Sequence, residues 1–138
     1  MIVLDTNVLS ESLRPRPSDA VKGWMAAQPA ALLYTTAINQ AEILYGVALL
    51  PSGRRKLVLE ETVEAIFAED FLGRVLPFDT AAARSFAEIA AMRRRSGRPI
   101  SDTDAQIAAI AHSRGAAVAT RNVEDFANCG ITVISPWE

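Results

Sequence analysis

The residues best suited to chemistry in this sequence are acids placed at or near the ends of apolar runs. Asp5 directly follows Ile2-Val3-Leu4, Glu42 lies in the apolar stretch from Ala37, Asp102 and Asp104 open a stretch that continues through Ile107 and Ile110, and Asp125 follows Ala117-Val118-Ala119 at a short distance. Two carboxylates about 5 Å apart repel by roughly 3 kcal/mol at an effective dielectric near 20. A group of three or four therefore calls for cations or protons. Oxygen donors without His or Cys select hard ions, Mg²⁺ or Mn²⁺, and such a centre suits phosphodiester hydrolysis by an activated water. His112 is the only histidine and Cys129 the only cysteine. That excludes a Cys/His zinc cluster, a two-histidine ribonuclease and an internal disulfide, and it leaves no obvious Ser-His-Asp triad.

Each acid also has a plainer reading. Asp5 could be a helix or turn cap. Residues 38, 42, 45 and 49 share a helical face, so Glu42 stands in a stripe with Ile38, Tyr45 and Leu49. An acid there needs a partner, such as an Arg, or an edge position. This helix is apolar almost all round, which points to a second buried contact such as a dimer interface. Asp102 and Asp104 point about 200° apart on a helix. Asp104 aligns with Ile107, Ala108 and Ala111 and is assigned to the site. Asp102 aligns with Gln106, Ala109 and Ser113 and is assigned to the solvent side or helix start. The helix macrodipole would also favour an acid at position 104. Asp125 is either a loop acid or a fourth site acid, with Asn122 as an alternative neutral ligand.

The elements that must position these residues form an alternating series. Strands are expected at Ile2–Leu4, Leu32–Tyr34, Arg74–Leu76, Ala117–Ala119 and Ile131–Ile134. Helices are expected over 18–28, 37–50, 54–72, 80–95 and 102–114, bounded by Ser18, Pro29, Pro51, the cap Asp79 and Gly115. The order predicts an α/β domain with a parallel sheet, a single unit over residues 1–138. Ligand sites in such sheets lie beyond the carboxyl ends of the strands. That directs attention to Asp5-Thr6-Asn7, Thr35-Thr36, Asp79 and Thr120-Arg121-Asn122.

Half of the residues are hydrophobic, 22% are charged, and the net charge is -2. A passive nucleic-acid binder would be basic, so attraction to RNA would have to come from a local patch or from bound cations. Arg93, Arg94, Arg95 and Arg98 are such a patch, for phosphate contact or for an acidic partner tail, or else a solvated helix end. Arg14 and Arg16 have the same two readings. His112, Trp24 and Trp137 read as structural. There is no basic leader and no apolar run near the roughly 20 residues that span a bilayer, so a cytoplasmic protein is expected.

Four segments in register resemble a PIN domain, specifically the VapC/FitB type of toxin nuclease. They are Ile2-Val3-Leu4-Asp5-Thr6-Asn7-Val8-Leu9, Ala41-Glu42-Ile43-Leu44-Tyr45-Gly46, Asp104-Ala105-Gln106-Ile107-Ala108-Ala109-Ile110-Ala111 and Ala119-Thr120-Arg121-Asn122-Val123-Glu124-Asp125-Phe126, with Ile134-Ser135-Pro136-Trp137 closing the chain. The resemblance implies a Rossmann-like five-stranded parallel sheet flanked by helices, and a metal-dependent endoribonuclease acting as the toxin of a toxin–antitoxin pair. It also implies a homodimer and a small VapB/FitA-like antitoxin through which operator DNA is reached. An alternative role is a weakly catalytic or non-catalytic protein acting in that DNA-bound complex. By position, Asp5, Asp104 and Glu42 would hold Mg²⁺ (or Mn²⁺), with Asp125 the fourth catalytic acid. Thr6, Asn7, Thr120 and Asn122 would support them. A haloacid-dehalogenase-type phosphatase would need an acid where Asn7 stands. A response-regulator receiver would need a late lysine, and the only lysines are Lys22 and Lys56.

Overall fold

The computed structural model describes residues 1–138. Five strands, β1 (Ile2–Leu4), β2 (Leu33–Thr36), β3 (Val75–Leu76), β4 (Ala117–Ala119) and β5 (Val133–Ile134), form one sheet in the order β3-β2-β1-β4-β5. Every pairing is parallel. Six helices flank it: α1 (Thr6–Ser12), α2 (Asp19–Ala27), α3 (Ala37–Ala48), α4 (Arg54–Ala65), α5 (Thr80–Arg95) and α6 (Asp102–Arg114).

Side chains alternate across a strand, and that alternation divides the core. Val3 and Val118 face one layer with Ile107, Ile110, Ile89 and Phe126 from the α5–α6 side. Leu4 and Ala119, one residue further along, face the other layer with Val8, Leu9, Val21, Ile43, Val63 and Phe67. The central strands β1 and β4 are buried on both faces, which is why they are continuous apolar runs, while the edge strand β5 is only partly buried.

The expected strands and helices are present with shifted ends. β2 runs on to Thr36, whose hydroxyl caps α3 by accepting from the Asn39 amide. The 54–72 stretch is α4 followed by a π-helical turn, Ile66–Asp70. The short helix α1 is an addition to the expected set; the Asp5 carboxylate caps it. α6 opens on the Ser101 cap and stops at Gly115, whose φ of 65° is a left-handed conformation that glycine adopts without strain.

Two facial assignments are corrected. The inward face of α3 is Asn39 and Ile43, while Tyr45 and Leu49 are each 66% exposed and Glu42 is exposed with them. Glu42 is therefore on the open side of α3, not in a core stripe. In α6, Ala109 is fully buried, not on a polar face; the whole segment Ile107–Ala111 is enclosed, packed against α5, α3 and β4. A helix apolar on nearly every side has no unique inward face, so periodicity alone cannot orient it.

Candidate metal centre

The sheet turns back on itself between β1 and β4: the chain winds outward through β2 and β3, then returns to the other side of β1. Such a reversal leaves a crevice beyond the strand ends. Asp5 and Thr120 are the residues that follow β1 and β4 there, and the Asp5 amide donates to the Ala119 carbonyl at 2.9 Å.

Asp5 is 5% exposed and surrounded by donors. Its Oδ1 accepts from the Thr6 amide at 2.8 Å and from Asn39 Nδ2 at 3.1 Å. Its Oδ2 accepts from the Thr120 hydroxyl at 2.8 Å and from Asn7 Nδ2 at 3.4 Å. A second tier holds the donors. Asn39 Nδ2 also donates to Thr6 Oγ1 at 3.0 Å, and Asn39 Oδ1 accepts from Thr36 Oγ1 at 2.6 Å. Asn7 Nδ2 donates to Thr120 Oγ1, and Asn7 Oδ1 accepts from the Arg121 amide at 3.1 Å. The Asn122 amide donates to Thr120 Oγ1 at 3.1 Å. Thr6 passes the network outward, donating its hydroxyl to Glu42 Oε1 at 2.7 Å. Glu42 thus joins the group from the solvent side of α3 through Thr6.

Burial pushes the Asp5 carboxyl above its ordinary value; the Thr120, Thr6 and Asn39 donors act against that, and Asp125 adds to it. Asp104 is likewise raised, first by burial, with the Ser101 hydroxyl opposing and the charges of Asp5, Asp125 and Glu42 reinforcing. The other three acids therefore lie within electrostatic reach of Asp104. None of the four has a Lys or Arg within ion-pair distance. Asp125 is exposed at the rim, lining an open hollow with Arg121, Asn122, Glu124 and Glu138, and its carboxylate makes no hydrogen bond within the protein. Asp102 is the exposed first residue of α6.

As the side chains lie, no three acidic groups stand close enough to enclose an ion. The chemistry of the donor set nevertheless fits a hard divalent cation: four uncompensated carboxylates from four segments, oxygen donors only, two of them partly desolvated and resisting ionisation.

Other expected residues lie elsewhere. Asp79 caps α5 and pairs with Arg114 at 3.6 Å, at the opposite end of α6 from Asp104, about 15 Å along that helix. Arg93 is not a surface contact for RNA or a partner: it is 6% exposed and turned inward. Arg94, Arg95 and Arg98 are exposed, and Arg98 pairs with exposed Glu124 at 3.4 Å. Arg14 pairs with the buried Glu11 at 3.4 Å. His112 Nδ1 lies 3.0 Å from Ser85 Oγ, tying α6 to α5. Trp24 and Trp137 pack against the core, and the Arg121 guanidinium lies over the Trp137 ring, 5.1 Å from its centre.

Asn39 is absent from the expected set, although it is fully buried and touches Asp5 directly. The available signal was a polar residue four positions before Ile43, three after a threonine cap.

The PIN domain family model matches residues 2–130. The chain is 43% identical to the VapC ribonuclease Y4jK of Sinorhizobium fredii over 138 residues, covering 100% of this chain and 99% of that protein. It is 41% identical to the toxin FitB of Neisseria gonorrhoeae over 137 residues, covering 99% of each. The solved structure of FitAB bound to an IR36 DNA fragment superposes with a TM-score of 0.95 at 40% identity, covering 100% of this chain and 96% of that one. The chain belongs to the PIN domain family and, within it, to the VapC/FitB type of toxin.

Proposed function

We propose that this protein is a Mg²⁺-dependent endoribonuclease, the toxin of a toxin–antitoxin pair. The observation that carries the reading is the group Asp5, Glu42, Asp104 and Asp125: the charges of the other three all act on Asp104, and none of the four has a Lys or Arg within ion-pair distance. The similarity to a VapC ribonuclease supports it.

Asp5, Asp104 and Glu42 would hold the ion. When bound, a divalent cation there supplies Lewis-acid polarisation of a phosphodiester and acidifies water near neutral pH. The chain does the rest. Thr120, Asn39, Asn7 and the Thr6 amide fix both oxygens of Asp5, so its orientation is set before substrate arrives. Thr6 fixes Glu42 Oε1 in the same way. Asp125, unbonded and at the rim, would add its charge to the hold on the ion and take the proton of an attacking water at a carboxylate oxygen. The exposed Arg94, Arg95 and Arg98 offer phosphate contacts.

The DNA-bound FitAB structure supports a small antitoxin as the partner, with operator DNA reached through it. The exposed apolar face of α3, Leu44, Tyr45 and Leu49, suits a second copy of the chain.

The test is cleavage of RNA in Mg²⁺ or Mn²⁺, with EDTA as control, by the wild type and by Asp5→Ala and Asp104→Ala, alongside growth inhibition on expression. Both variants are expected to stay folded and lose cleavage and toxicity. Full activity of Asp5→Ala would refute the metal-site reading. Wild-type protein that cleaves no RNA with either ion, yet shifts operator DNA with its antitoxin, would favour the non-catalytic role.

A further inference from the structure

Arg93 occupies the last turn of α5 with its guanidinium buried and no carboxylate within ion-pair distance. An arginine enclosed in this way is costly unless its donors are satisfied. Nε and one terminal nitrogen are held by backbone carbonyls from two separate loops. Nε donates to the Arg98 carbonyl at 2.7 Å. One terminal nitrogen donates to the carbonyls of Asp125 at 2.9 Å and Ala127 at 3.0 Å, and lies 3.4 Å from Cys129 Sγ. The Arg93 carbonyl in turn accepts from the Arg98 amide at 3.0 Å and the Ser96 hydroxyl at 2.9 Å, closing the turn through Gly97.

The two loops held by this one planar group flank the acidic centre. The 96–101 loop leads into the Ser101 cap and Asp104; the turn Val123–Phe126 carries Asp125. Burial is the main influence on the Asp104 carboxyl, and the like charges of Asp5 and Asp125 add repulsion to it. A cation paired directly with Asp125 would restrain the turn but cancel the charge the centre needs. Arg93 takes hold of Asp125 by its carbonyl and leaves its carboxylate unbonded and uncompensated.

We propose that Arg93 is a positioning residue for the metal centre, setting the place of Asp125 relative to Asp104 by clamping the backbones of their two loops. This rests on the cation reading given above. A residue that only filled space here would be replaced without consequence for the ion by an apolar side chain of similar length.

The experiment is Mn²⁺ titration of the full-length protein by calorimetry, well below the unfolding temperature, for wild type, Arg93→Met, Arg93→Lys, Asp125→Asn and the double variant Arg93→Met/Asp125→Asn. Hydrogen exchange at the Asp125 and Ala127 amides is measured in parallel. Loss of a residue that orients a ligand typically weakens metal binding by 10–100-fold. Arg93→Met is expected to weaken Mn²⁺ binding by about tenfold and speed exchange at both amides. Arg93→Lys should recover part of the affinity, and Arg93→Met should add nothing once Asp125 is already Asn. Unchanged Mn²⁺ affinity in a folded Arg93 variant, or an equal loss with and without the Asp125 carboxylate, would overturn the proposal. A wild-type titration without binding, equal to that of Asp5→Asn, would instead bring down the cation reading and the proposal with it.

Discussion

Replacing Thr120 by Val keeps the shape of a fully buried side chain and removes only its hydroxyl. Three bonds are affected. The bond from Oγ1 to Asp5 Oδ2, 2.8 Å, is made to a buried carboxylate, and such bonds contribute about 1.5–3 kcal/mol. The other two, from Asn7 Nδ2 and the Asn122 amide, are cheaper to lose: Asn7 keeps Asp5 Oδ2 at 3.4 Å, and Asn122 is exposed, so water replaces the acceptor. The expected loss is about 2 kcal/mol near neutral pH, a fall in Tm of roughly 8 °C at about 4 °C per kcal/mol for a chain this size. The pH dependence is the sharper test. Thr120 holds the Asp5 carboxyl down against burial, so Thr120→Val raises it further. The extra loss is present in full above the variant's Asp5 value. It shrinks to the roughly 1 kcal/mol of a neutral bond as pH falls below the wild-type value, because a protonated carboxyl no longer depends on that donor. Urea unfolding in EDTA across this range reads both. An unchanged midpoint, or a loss equal at acidic and neutral pH, would refute the account of Asp5 as a buried charge held by Thr120.

Asp104→Asn probes the opposite sign. A carboxyl raised in the folded state binds more protons there than in the unfolded chain, so stability falls as pH rises from the ordinary 3.8 through the raised value. Removing that charge should flatten this part of the profile and leave the metal-free variant at least as stable as wild type at neutral pH; lower stability in EDTA would contradict it. Asn39→Asp puts a second carboxylate where a donor now lies 3.1 Å from Asp5 Oδ1. At roughly 4 Å between charges and an effective dielectric of 20 the repulsion is about 4 kcal/mol. The variant should be markedly destabilised at neutral pH and recover on acidification or with Mn²⁺, as followed by circular dichroism melts.

Much of this protein was legible from residue order alone. Short apolar runs closed by polar residues mark strands buried on both faces. Ser18 and Asp79 were readable as caps because each sits one residue before its helix and has an oxygen to offer the first turn, while Ser101 emerged as a cap only in the structure. With a single His and a single Cys in the chain, the acids can offer a cation only oxygen donors. What the three-dimensional packing decided is which way each side chain points and what it meets. Glu42 was placed in a buried stripe, yet it reaches the centre from the solvent side through Thr6; α3 is apolar nearly all round, and only its docking on the sheet chose Asn39 and Ile43 as the inward pair. Asn39 meets Asp5 across 34 positions and Thr120 meets it across 115, contacts that no local pattern encodes. Arg93 sits within a basic run where its neighbours face water, and only the packing of α5 against the loops after β4 turns it inward. Local sequence sets backbone preferences within a few residues, whereas a charge is enclosed or exposed according to segments far away in the chain.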